Sequence, residues 1–451
     1  AYIKFGRDEE ARVHAAEVLG INPKFSLESY AKTLHYKNKA DIEDYVAALR
    51  KAGLPDTPPL PLPDKPSIAV LPFTNMSNDP EQEYFSDGLT EEIISALSSV
   101  PKLFVIARNS TFTYKGKPVK VQQVSRELGV RYVLEGSIRK SGDEIRITAQ
   151  LIDALSGHHL WAERYDRNLS DIFAVQDEIT KKIITAMQVK LTEGEQARVA
   201  AKGTKNLEAY LKCLQASEYI HQINIESIAR AKQLAEEAIA LDPEYAWAYY
   251  RLGQALQVQV FVGGSKSPKQ SIGKAIELVK KAIALDDNLA EAHGRLGYLY
   301  SMTRQYDKGI AQAEKAVALN PNSAMAYMML GKTLSFAGRP EESIPVYKKA
   351  IRLNPIPTNF YFYSLGISYA FIGKYDEAIT WCEKAVLQEP DSLYARIMMT
   401  VVYSMSGRDE EARVQATEVL RINPKYSPKS FHKNKADTDR FLSALHKAGL
   451  K

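Results

Sequence analysis

The chain has 451 residues, 45% hydrophobic and 25% charged, with 59 Lys+Arg against 54 Asp+Glu. These fractions belong to an ordinary globular protein and exclude a disordered tail protein, a collagen-like chain and a small disulfide scaffold. The net charge of +5 permits contact with nucleic acid or phospholipid but does not argue for either. Cys213 and Cys382 are isolated from each other, which gives no metal-ligand spacing and points to a reducing compartment. No apolar run long enough to span a membrane is present, and a cytoplasmic location is expected.

Residues 1–54 read as the tail of a repeat array. The segment GRDEEARVHAAEVLGINPKF (6–25) returns almost unchanged as GRDEEARVQATEVLRINPKY (407–426), and YKNKADIEDYVAALRKAGL (36–54) returns as HKNKADTDRFLSALHKAGL (432–450). A helix, a loop and a closing helix are predicted, the last with an apolar stripe of Ile42, Tyr45, Val46 and Leu49. The text opens in mid-pattern, so the native start is expected upstream. Residues 55–66, PDTPPLPLPDKP, hold six prolines and predict a stiff, extended linker.

Residues 67–170 alternate strand and helix signals. IAVLPF (68–73) and LFVIAR (103–108) read as short buried strands. YFSDGLTEEIISALSSV (84–100) is an amphipathic helix, and VQQVSRELG (121–129) is a helix closed by Gly129. RYVLEGSIRK and EIRITAQLIDA flank a Ser-Gly-Asp turn as a hairpin, and LWAERYDR (160–167) is a further strand. Residues 171–203 are predicted as a connecting helix. This block resembles the TolB-type amino-terminal domain of bacterial signalling proteins, on IAVLPF, YFSDGLTEEI, VIARNSTFTYKG, ELGVRYVLEGSIRK, RITAQLIDALSGHHLWAERYDR and DIFAVQDEI.

In 204–427, prolines after short helical runs fall at Pro321, Pro355, Pro390 and Pro424, 34, 35 and 34 residues apart. Leu-Gly pairs recur at 252–253, 296–297, 330–331 and 365–366, and turn glycines at 338, 373 and 407. This resembles the tetratricopeptide repeat, a helix-turn-helix unit that buries its apolar face only by stacking. Residues 428–451 are expected to close the array with a helix. The fold class is therefore mainly α, a tetratricopeptide-type solenoid preceded by a small α/β domain. The order resembles the C-terminal part of bacterial class III adenylate/guanylate cyclases.

No motif carries chemistry: there is no phosphate loop, no HExxH and no CxxC. His158 and His159, adjacent on a strand, would point to opposite faces and so make a poor metal pair. No catalytic residue, metal or cofactor is assigned, and the chain is read as not an enzyme. Ten basic residues against four acids in 102–146 give a cationic block, and Arg108, Asn109 and Ser110 at a strand end are a candidate anion-binding loop. In a tetratricopeptide superhelix the first helix of each pair lines the concave face. The residues expected there are Trp247, Tyr250, Tyr298, Met302, Met325, Met328, Phe336, Phe360, Tyr363, Phe371, Tyr394 and Met405. An apolar, Met-rich groove suits a protein or peptide partner, the chain's own segments, or a neighbouring subunit. The function expected is a non-catalytic interaction and regulatory module of a signalling cyclase. A freestanding scaffold or the sensory region of a DNA-binding activator are the alternatives.

Overall fold

The computed structural model describes residues 2–22, 24–35, 38–56, 58–77, 79–192, 203–428 and 433–450. The α/β block is one sheet of six strands: β1 (Ser67–Val70), β2 (Thr74–Asn75), β3 (Phe104–Val105), β4 (Tyr132–Ser141), β5 (Glu144–Asp153) and β6 (His158–Asn168), in the order β3-β1-β4-β5-β6 with β2 also on β4. β1 lies parallel between β3 and β4, and β4, β5 and β6 run antiparallel. The predicted hairpin forms through Gly142 at φ 60°, a conformation that suits glycine. Gly129 at φ 62° ends its helix in the left-handed cap the sequence predicts.

Alternation along β1 explains the two layers. Ile68 and Val70 face α4 (Glu83–Ser98) and α7 (Ile172–Ala186). Ala69 and Leu71 face the other way, into a cluster with Val124 and Leu128 of α6 (Val121–Leu128). α7 is not a free connector: Ile172, Val175, Ile179 and Ile183 are at most 1% exposed beneath the sheet. Part of the predicted connecting helix, 193–202, lies outside the described residues.

Six helix pairs follow. They are α8/α9 (Leu207–His221, Ile225–Leu241), α10/α11 (Ala246–Phe261, Pro268–Leu285) and α12/α13 (Ala290–Met302, Tyr306–Leu319). Then come α14/α15 (Ala324–Phe336, Pro340–Leu353), α16/α17 (Asn359–Phe371, Tyr375–Gln388) and α18/α19 (Leu393–Met405, Asp409–Ile422). The Leu-Gly glycines work as contact points: a Cβ at Gly366 would lie 2.5 Å from Cys382 Sγ, and one at Gly297 would lie 2.7 Å from the Gly309 carbonyl. Gly338, Gly373 and Gly407 turn between paired helices at φ 77–79°. In the third pair Arg304 takes that slot at φ 61°, a left-handed residue that costs on the order of 1 kcal/mol without glycine. The closing helix α20 (Lys435–Lys447) lies on α18, with Phe441, Ala444 and Leu445 buried.

The amino-terminal tail is a fragment of the same unit. Residues 2–5 form a single 3-10 turn, at the place that the end of α18 holds in the carboxy-terminal copy. Gly6 turns at φ 72°, and α1 (Asp8–Ile21), α2 (Leu27–Ala31) and α3 (Lys39–Lys51) follow. Ala11, Ala15, Leu27, Ala52 and Leu54 make a small cluster of their own.

Candidate functional site

The α/β domain is seated on the array through the loops that join successive pairs. Asn322, just past the Asn-Pro turn that ends α13, donates from Nδ2 to the carbonyls of Ser98 (3.1 Å) and Val100 (3.0 Å). One turn further, the Ala107 amide donates to the Leu353 carbonyl at 2.8 Å. Ser110 Oγ donates to Asn354 Oδ1 at 2.6 Å and accepts from the Ile356 amide at 2.8 Å. Arg352 donates to the carbonyls of Leu128, Gly129 and Pro61 and lies over the Phe104 ring. One apolar cluster is shared by the sheet and the array, from Ala69, Ile106 and Val133 to Tyr347, Leu353 and Tyr361.

At the centre of this seat is a buried charge cluster. Glu91 of α4 receives Arg251 of α10 (3.1 Å) and Arg108 of α5 (Arg108–Thr111; 3.5 Å). Arg108 also reaches Glu218 at 3.4 Å and Asp87 at 3.9 Å. Burial acts to raise the Glu91 carboxyl, but Arg251 and Arg108 override it and bring it down to about 2. Glu92, the next residue, lacks such partners, and burial with the neighbouring Glu91 charge pushes it up to about 7.

Two clefts open here. One, of about 200 Å3, is lined by Glu92, Asp177, Asp286 and Glu291. The other, of about 170 Å3, is lined by Arg108, Asn109, Arg251, Arg295 and Trp247, among others. Arg251 and Arg295 are each 7% exposed and occupy the same slot, one residue before the Leu-Gly pair, in successive repeats. The sequence reading missed both, and that shared slot was the signal that could have found them.

The predicted anion loop is mostly committed elsewhere. Arg108 is neutralised by acids, and Ser110, fully buried, anchors the domain through Asn354 and Ile356. Asn109 lines the second cleft.

The predicted groove residues are brought together, but many are packed away. Tyr250, Tyr298, Met328, Tyr363 and Phe371 are under 9% exposed. Trp247 meets Tyr250 edge-on, and Tyr298 stacks on Phe336 at 6.2 Å. Phe261 bridges the array, 6.4 Å from Tyr298 and 5.4 Å from Tyr394. Met302, Met325, Phe360 and Met405 are half-buried around the same cluster. α20 covers one end: the Lys433 amide donates to the Phe336 carbonyl, and Arg440 donates to the Phe371 carbonyl and lies over its ring. Among the described residues no group of three or more His, Cys, Asp or Glu is placed to hold a metal ion, and no helix is long and apolar enough to cross a membrane.

Residues 290–323, 324–357 and 361–392 match the tetratricopeptide repeat family. Residues 64–182 match the family described as "HilA/YgeH-like transcriptional regulator, second domain". That corrects the TolB-like assignment. The strings behind the resemblance specify a buried strand, a helix and a hairpin, an order that different α/β families share. The matched span also takes in most of α7, whose apolar side is buried under the sheet.

A protein of Rhizobium meliloti (strain 1021) described as "Putative adenylate cyclase 3" is 56% identical over 195 residues, 43% of this chain and 33% of the relative. The chain thus spans about a third of that relative's length. Among solved structures, the chain is similar to YrrB, "a TPR protein with an unusual peptide-binding site", at 23% identity and TM-score 0.30, over 43% of this chain and 93% of the other. It is similar to a thermophilic TPR protein of Thermus thermophilus, TTC0263, at 23% identity and TM-score 0.35, over 45% and 99%. Pseudomonas aeruginosa pilF follows at 15% identity and TM-score 0.37, over 52% and 97%. What the repeat match supports for this chain is a protein-interaction role, built on tetratricopeptide repeats.

Proposed function

We propose that the chain is the regulatory region of a signalling adenylate cyclase, acting by protein interaction rather than by chemistry of its own. The observation that carries this is the 56% identity to the rhizobial cyclase-type protein. The architecture supports it. A small α/β domain clamped on a solenoid by buried ion pairs can report a contact on one part to the other, because both share one apolar cluster.

The test is cyclic AMP formation in cells that lack their own cyclase and express the full-length protein carrying this chain. A regulatory region predicts that deleting 207–447 changes the rate, while catalysis persists in another domain. A rate that is unchanged removes the regulatory reading. The transcriptional-regulator match over 64–182 favours a second reading, the sensory region of a DNA-binding activator. Absence of any cyclic nucleotide, with sequence-specific DNA retention by the full-length protein, would select it.

A further inference from the structure

The seat between the α/β domain and the array holds a buried guanidinium, that of Arg295, which no acid pairs among the described residues. Arg295 is 7% exposed, its hydrogen-bond partner is Gln257, and its Nε is buried without a partner. It makes no ion pair among the described residues. Arg251 has Gln254 and shares Glu91 with Arg108, and its Nε is likewise buried and unpartnered. Beside Arg295, Lys332 of α14 lies between the rings of Tyr298 and Phe360, at 5.2 and 5.1 Å, with no acid. Burial, aided by the Arg295 charge, brings its ammonium down to about 8.

Buried charges are ordinarily paired, since an unpaired one loses its hydration with nothing to replace it. Two other carboxylates line the same cleft, Glu92 and Glu291, but they also belong to its acidic neighbour with Asp177 and Asp286. Neither forms an ion pair with Arg295, and burial raises both carboxyls from their ordinary value.

We propose that the cleft beneath α4 binds a small organic or inorganic anion, a carboxylate or phosphate, held by Arg295 and Arg251 from the array and by Asn109 from the α/β domain. Its volume of about 170 Å3 sets the size class. Trp247, Tyr250 and Met325 supply apolar wall beside the guanidinium groups, which suits an anion with a short carbon skeleton. Bound there, the anion touches both domains and tightens the seat.

The experiment is thermal shift and calorimetric titration of the intact chain with inorganic phosphate and with succinate, each at constant ionic strength against chloride. A saturable rise in Tm with one of them is expected. Arg295→Met should abolish that rise and, having lost an unpaired buried charge, should melt higher than wild type without anion. Asn109→Ala, at a half-exposed side chain, should leave the anion-free Tm unchanged and weaken binding at least tenfold. If Arg295→Met does not fold, Asn109→Ala decides. No response to either anion overturns the proposal, as does a response that survives the variants, or one given only by an acidic peptide. None of these outcomes depends on cyclase activity, so this site and the regulatory reading can fail separately.

Discussion

Two pieces of the chain are docked on the solenoid, and they are held by different physics. The α/β domain sits on the inter-repeat loops through asparagines, a serine and a buried ion-pair cluster, as well as through shared apolar surface. The closing helix α20 sits on α18 through Phe441, Ala444 and Leu445, with polar contacts only at its margins. The first seat is directional and sensitive to protonation. The second is mainly apolar and should depend less on pH and salt. A directional, charged seat and a mainly apolar closing contact are thus separated along one molecule.

The largest effect expected is at the apolar seat. Leu445 is fully buried, and Leu445→Ala should cost about 3 kcal/mol in urea denaturation, with little dependence on salt. Its twin Leu49, half-buried because only one turn stands where α18 would be, should lose about 1 kcal/mol on the same change. Equal losses would mean that the missing helix is not what separates the copies.

At the polar seat, Glu92 has its carboxyl raised to about 7 by burial and by Glu91. A carboxyl raised on folding favours the protonated form. Its cost is absent below the unfolded value near 4.5, grows as the pH rises, and is complete above 7. Glu92→Gln should therefore stabilise the protein at pH 8 by up to about 3 kcal/mol and leave it unchanged at pH 4. A pH–stability curve with the same slope in both proteins would remove the protonation sensitivity of this seat.

A smaller effect than at Leu445 is expected at Asn322, whose amide caps the carbonyls of Ser98 and Val100. Asn322→Ala should cost about 2 kcal/mol, and hydrogen exchange should rise at the end of α4 before it rises in α18. Exchange that rises everywhere together would mean that the two seats are not independent.

The solenoid was legible because its residues repeat. Leu-Gly pairs, turn glycines and the Asn-Pro exits each follow from how one helix pair meets the next, so spacing in sequence becomes packing in space. The strands and helices of the α/β block were legible from short buried runs, with boundaries moved by a few residues. Its family was not, because IAVLPF and SDGLTEEI describe local burial and not a lineage. The seat was hidden for another reason. Ser110 and Asn354 are 244 residues apart, and no periodicity joins them. Asn322 and Asn354 sit in inter-repeat turns, and only the fold shows that they hold the neighbouring domain.

The Phe261–Tyr394 contact has a consequence for how the molecule comes apart. A solenoid in which each pair touches only its neighbours frays from an end, one unit at a time. Here the tip of the second pair rests on the first helix of the sixth, 5.4 Å between ring centres. The terminal pair cannot peel away without breaking that brace, and the second pair cannot melt without freeing the sixth. A linear array has thus become a loop in energetic terms, and its unfolding should be closer to one sharp step than to a series of gradual losses.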